Sequence, residues 1–103
     1  MKIKLHFSEA AAADILEQAD WYAEQSDEML AQRWDSAVTS TVLRIAEFPK
    51  SGALCHFSSA ELQEIRRVPV DEFPKHLIFY RVERKSVVVL RVIHGARDLD
   101  SLL

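Results

Sequence analysis

The spacing of apolar and polar positions changes once along this chain, near its middle, dividing it into a helical half and an extended half. Residues 2–7 alternate, with Ile3, Leu5 and Phe7 on one side, which predicts a half-buried strand. Ser8 then stands where a helix N-cap belongs, with Glu9 favourable in the first turn. Ala12, Ile15, Leu16, Ala19, Tyr22 and Ala23 follow at helical spacing. Ser26-Asp27-Glu28 supplies a second cap, and Leu30, Trp34, Ala37, Val38, Thr41, Val42 and Ile45 carry the pattern on to Phe48. Pro49 and Gly52 stop it. So short an interval between the two runs predicts an antiparallel helical hairpin.

Residues 49–60 read as a loop, and beyond it the period is two. A strand is expected over 62–70, carrying Arg66 and Arg67. Pro69, which has no N–H to give a ladder, places that strand at a sheet edge. Residues 76–82 and 86–93 form a hairpin around Glu83-Arg84-Lys85, and Gly95 ends the last strand. The order β-α-α-β-β-β predicts one α+β domain over residues 1–103, two-layered, with the helical hairpin packed on a mostly antiparallel sheet. In the last strand, alternation places Val88, Leu90 and Val92 on one face and Val87, Val89 and Ile93 on the other. Two helices shield only one face. The second needs cover from a partner segment, from a second copy, or from the 49–60 loop together with Leu99, Leu102 and Leu103.

Composition narrows the function. Lys and Arg number 13 against 16 Asp and Glu, and residues 1–50 hold five of the basic but nine of the acidic residues. A protein that grips nucleic acid through phosphates carries a basic excess, so direct nucleic-acid binding is not expected. One cysteine allows no internal disulfide, no apolar run is long enough to span a bilayer, and the alternating start is too short for a signal peptide. A cytoplasmic protein is expected. Cys55-His56 stands apart from His6, His76 and His94, so no metal site is expected. Gly52 and Gly95 stand alone, so no phosphate loop or other cofactor site is expected either.

The string "FPKHLIFYRVERKSVVVLRVIHGARDL" resembles the C-terminal strand pair of ParE-type toxins in the RelE/ParE superfamily of bacterial toxin–antitoxin systems. "FSEAAAADILEQADWYAEQS" is similar to their N-terminal signature, and "FPKSG" to the turn after their second helix. The resemblance spans nearly the whole chain, in order. It implies the fold derived above and an antitoxin, ParD-like, whose C-terminal segment wraps the toxin in a hetero-oligomer. On that reading Val87, Val89, Ile93, Leu99 and Leu102 are the antitoxin-binding residues. The ParE branch poisons DNA gyrase without chemistry of its own, which implies no catalytic residue. The RelE branch instead cleaves mRNA in the ribosome, and here that alternative would draw on Arg66 or Arg67, Arg81, His94 and Arg97.

The tail after Arg97, "DLDSLL", is acidic and apolar and lacks the tyrosine common in RelE-type ribonucleases, which favours the gyrase reading. His94 is expected to cap its strand by bonding the backbone of the turn. Arg81 and Arg91 are expected to be solvated or paired with a carboxylate such as Glu64 or Glu83. Trp21, Tyr22 and Trp34 are expected in the core or between the helices.

Overall fold

In a computed structural model, described over residues 3–57 and 59–96, the chain begins with β1 (Lys4–Phe7) and rises into α1 (Glu9–Gln25) and α2 (Glu28–Glu47). It continues through the two-residue β2 (Ala53–Leu54), a single 3₁₀ turn (Ala60–Leu62), β3 (Ile65–Val70), β4 (Phe73–Glu83) and β5 (Ser86–His94). The five strands form one sheet in the order β1-β5-β4-β3-β2. All neighbours are antiparallel except β1, which runs parallel to β5 with Leu5 opposite Val87 and Phe7 opposite Val89.

Both caps form as the sequence predicts. The Ser8 hydroxyl accepts from the Ala11 N–H at 3.0 Å and donates to the Leu90 carbonyl at 2.7 Å, so one side chain starts α1 and ties it to β5. The Asp27 carboxylate accepts from the Leu30 N–H at 2.8 Å. On α2 the buried positions are Ala31, Trp34, Ala37, Val38, Thr41, Val42 and Ile45, close to the expected stripe. On α1 the stripe is turned by one position. Ala11 and Ala19 are buried, whereas Ala12 and Leu16 face solvent. Trp34 donates its indole N–H to the Ile15 carbonyl at 3.1 Å. Thr41, fully buried, donates to the Ala37 carbonyl and accepts from the Asp71 N–H. Asp71 and Glu72 form the tight turn between β3 and β4, with Glu72 in the left-handed region at φ 65°. Arg44 grips Asp71 through two bonds of 2.8 and 2.9 Å, which holds the Asp71 carboxyl below its ordinary pKa and clamps that turn to α2.

The expected 62–70 strand is shorter, because Ala60–Leu62 turns as a 3₁₀ helix and Glu64 takes a left-handed conformation before Ile65. Pro69 lies past the two residues of β3, Arg66 and Arg67, that β2 pairs with, at the exposed edge its missing N–H requires. Tyr80, fully buried on β4, donates to the Pro49 carbonyl at 2.8 Å and accepts from the Gly52 N–H at 3.0 Å, locking the chain where it leaves α2. Gly52 is required there by space. A Cβ would meet the Tyr80 ring at 2.9 Å and the Arg67 carbonyl at 3.0 Å.

The face assignments in β5 need correction. Tyr80 pairs with Val89 but Phe79 pairs with Arg91, so a bulge at Leu90 shifts the alternation by one residue. Val87, Val89 and Val92 therefore share the helix-facing core. Leu90 and Ile93 belong to a second cluster on the opposite face, with Leu62, Ile65, Phe79, Cys55, Phe57 and Leu77. The second face does have a cover, and the chain supplies it. Cys55, Phe57 and Leu62 pack with Ile65, Phe79 and Ile93 there.

Candidate functional site

Val87 and Val89 are wholly inaccessible beneath the helices and Ile93 is buried on the other face, so none of the three is available to an antitoxin in the folded chain. The bulge, together with the packing of Cys55, Phe57 and Leu62, accounts for that outcome. Leu99 and Leu102 lie outside the described residues, as does Arg97.

Accessible apolar side chains do meet at the β1 edge of the sheet, where Phe7 and Leu43 stand side by side along one groove. Among the described residues, β1 has a strand neighbour on one side only. Beside it runs a groove of about 330 Å³, walled by Leu5 and Phe7 of β1, Ile15 of α1, and Val38, Val42 and Leu43 of α2. Phe7 stays 44% exposed and Leu43 58% exposed along this groove. One carboxylate, Asp35, stands at its lining. The sequence signals were present in Phe7, the last residue of the alternating strand, and in Leu43, a leucine off the core stripe of its helix.

A second concavity, a cleft of about 530 Å³, lies between α1 and the ends of β4 and β5. Asp14, Glu17, Trp21 and Tyr22 line it from α1, and His76 and His94 from the strands. The two histidines sit directly across the β4–β5 ladder with ring centroids 5.5 Å apart, and His76 also meets Trp34 edge-on at 5.0 Å. Burial and the neighbouring His94 hold His76 below the ordinary histidine range. His94 accepts the Ala96 N–H on Nδ1 at 3.1 Å, the turn-capping role its position predicts. Trp21, expected among core contacts, stands 54% exposed at the cleft, whereas Trp34 is fully buried.

Among the described residues, Arg66 and Arg81 of the ribonuclease alternative do not join His94. Arg66 donates to the Lys50 and Gly52 carbonyls, stapling the loop after α2, and Arg81 donates to the Glu61 carbonyl, holding the 3₁₀ turn. Arg81 pairs with Val88 and His76 with His94, so Arg81 lies five positions along β4 from the histidine pair. Arg91 does find a carboxylate, but on α1. It makes two 2.8 Å bonds to Asp14, whose Oδ2 also accepts the Val92 N–H at 3.0 Å. Among the described residues, the cleft beside His94 is lined by two carboxylates and by no lysine or arginine. Cys55 packs with the second-face cluster, and burial pushes its thiol pKa up.

The arrangement is that of a two-layer α+β domain, with a helical hairpin over a mixed five-stranded sheet and a groove beside its β1 edge. The family model for the ParE toxin of the type II toxin–antitoxin system parDE matches residues 5–99, and the chain belongs to that family. Its fold is similar to a chain in the structure of the chromosomal ParDE toxin–antitoxin system from P. aeruginosa, at TM-score 0.74 and 18% identity, covering 90% of this chain and 96% of that one. A conserved hypothetical protein from Helicobacter pylori also aligns, at TM-score 0.43 and 18% identity, over 92% of this chain and 97% of that one. A comparison with curated protein sequences gave no significant match.

Proposed function

We propose that this toxin acts in the cytoplasm, arresting growth by binding DNA gyrase without chemistry of its own. A ParD-like antitoxin neutralises it by laying an apolar segment in the groove beside β1. The observation that carries the antitoxin part is that groove. Leu5, Phe7, Val38, Val42 and Leu43 flank a strand edge that, among the described residues, has no strand neighbour. An added segment gains main-chain hydrogen bonds from the edge and side-chain burial from the groove in one motion. The non-catalytic part is supported by the dispersal of Arg66, Arg81 and His94 into separate structural hydrogen bonds.

Tightly controlled expression of the chain, with DNA and protein synthesis followed separately, tests this reading. Filamentation and an early stop in DNA synthesis are expected. Early arrest of translation with cleaved mRNA would replace the gyrase reading with the ribonuclease one. Full growth would leave only the antitoxin-binding role.

A further inference from the structure

The hydrogen bonds of β1 fix which of its residues face outward. The Lys4 N–H donates to the Lys85 carbonyl and the Ser8 N–H to the Val89 carbonyl, both at 3.0 Å. In an extended strand the backbone groups of successive residues point to opposite sides. Lys4, His6 and Ser8 therefore direct theirs at β5, and Leu5 and Phe7 direct theirs away from it, at the open edge. The side chains of the same two residues line the groove on the helix side, together with Leu43 of α2. Edge and groove are thus one surface, and its two outward-bonding residues lie symmetrically about His6.

We infer that, in the absence of antitoxin, this edge pairs with the same edge of a second copy, β1 against β1, antiparallel about a two-fold axis through His6. In that register Leu5 of each chain faces Phe7 of the other, and the two facing pairs exchange four N–H···O=C bonds. An axis normal to the sheet keeps both helical hairpins on one face, so the half-exposed Phe7 and Leu43 of both copies are drawn into the seam. Charge agrees with the antiparallel direction. Lys4 comes to lie across from Ser8 of the second copy, next to its Glu9, where a parallel pairing would set Lys4 against Lys4. The opposite edge offers no such match, because β2 is two residues long and β3 beyond it carries Pro69. The seam is short, so the dimer is weak, with monomer prevailing below about 10 µM. On the antitoxin reading given above, the two occupants exclude each other, and self-pairing shields the antitoxin's site in the free toxin.

Sedimentation equilibrium of the full chain, purified without antitoxin, tests the pairing. A monomer–dimer equilibrium is expected, and Phe7→Lys should weaken it at least about tenfold. Leu54→Lys, at a half-exposed leucine on the β2 edge, should leave it unchanged. A readout independent of Phe7 comes from His6→Cys combined with Cys55→Ala. Facing residues of a non-hydrogen-bonded antiparallel pair lie about 4.5 Å apart at Cα, within disulfide range, so mild oxidation should cross-link two copies through that position. Lys4→Cys in the same background should cross-link at least about fivefold more slowly, because it faces Ser8 of the second copy and not its own counterpart. A chain that stays monomeric to about 1 mM would overturn the inference. So would a dimer indifferent to Phe7→Lys, equal weakening by Leu54→Lys, or equal cross-linking of the two cysteine variants. No antitoxin enters these measurements, so their failure leaves the antitoxin assignment to be judged by the antitoxin's own affinity.

Discussion

Leu43 and Leu16 make a matched pair on which the groove assignment can be tested. Both are leucines on helices, 58% and 62% exposed, but only Leu43 lines the groove beside β1. Burying a whole leucine side chain is worth roughly 1.5–3 kcal/mol. Covering the share of Leu43 that is still exposed should therefore add about 0.9–1.7 kcal/mol to antitoxin binding, or roughly a four- to twentyfold change in Kd. Leu43→Ala should weaken a ParD-like antitoxin by that factor, read by calorimetry at fixed salt. Leu16→Ala should change the Kd by less than about twofold, since nothing on the antitoxin is expected to cover it. Alanine is the better helix former at both sites, so folding should survive in each, checked by urea unfolding of the same preparations. If Leu43→Ala binds like the parent, or Leu16→Ala weakens binding as much, the antitoxin does not sit in this groove.

Three further outcomes are expected. Tyr80→Phe removes the hydroxyl that serves both the Pro49 carbonyl and the Gly52 N–H, and should cost about 1–3 kcal/mol in urea unfolding. Gly52→Ala should cost a similar amount by crowding the same hydroxyl, and the double variant should lose less than the sum of the two. His76 favours its neutral form when folded, so the unfolded chain takes up the proton first as pH falls through about 6.5. Its contribution to stability is complete above that value and is lost below it. The urea midpoint should fall between about pH 7 and about pH 5, and His76→Phe, which keeps the ring contact with Trp34, should flatten that dependence. Finally, His94→Ala should leave growth arrest on induction intact in a normally folded variant, since the side chain caps a turn.

The parts of the fold that could be read in advance are those decided locally. Ser8 and Asp27 cap their helices whatever packs above them, and the change of period after Gly52 marks where helix gives way to sheet. The errors lie where local pattern is silent or misleading. In "VVVLRVI" every alternation looks regular, and only pairing with Phe79 and Tyr80 shows that Leu90 is the extra residue. In "EAAAAD" four alanines carry no directional preference, so the buried side of α1 is set by Ile15 and Ala19 meeting the sheet, and Leu16 turns outward. The Arg91–Asp14 pair spans 77 positions, which no local pattern encodes, and nearer carboxylates such as Glu64 and Glu83 looked the more natural partners. The groove was missed for a related reason. Phe7 and Leu43 belong to different elements, and only the parallel pairing of β1 with β5 brings them to one edge.

That parallel pairing has a consequence for how the poison is made. The opening strand joins the sheet beside β5, so the sheet stays incomplete until the chain as far as His94 has left the ribosome. The wall formed by Leu5 and Phe7 is complete only once β5 is in place, and an inhibitor that reads it captures only molecules in which that strand has joined. Timing, in this protein, is written into which two strands are neighbours.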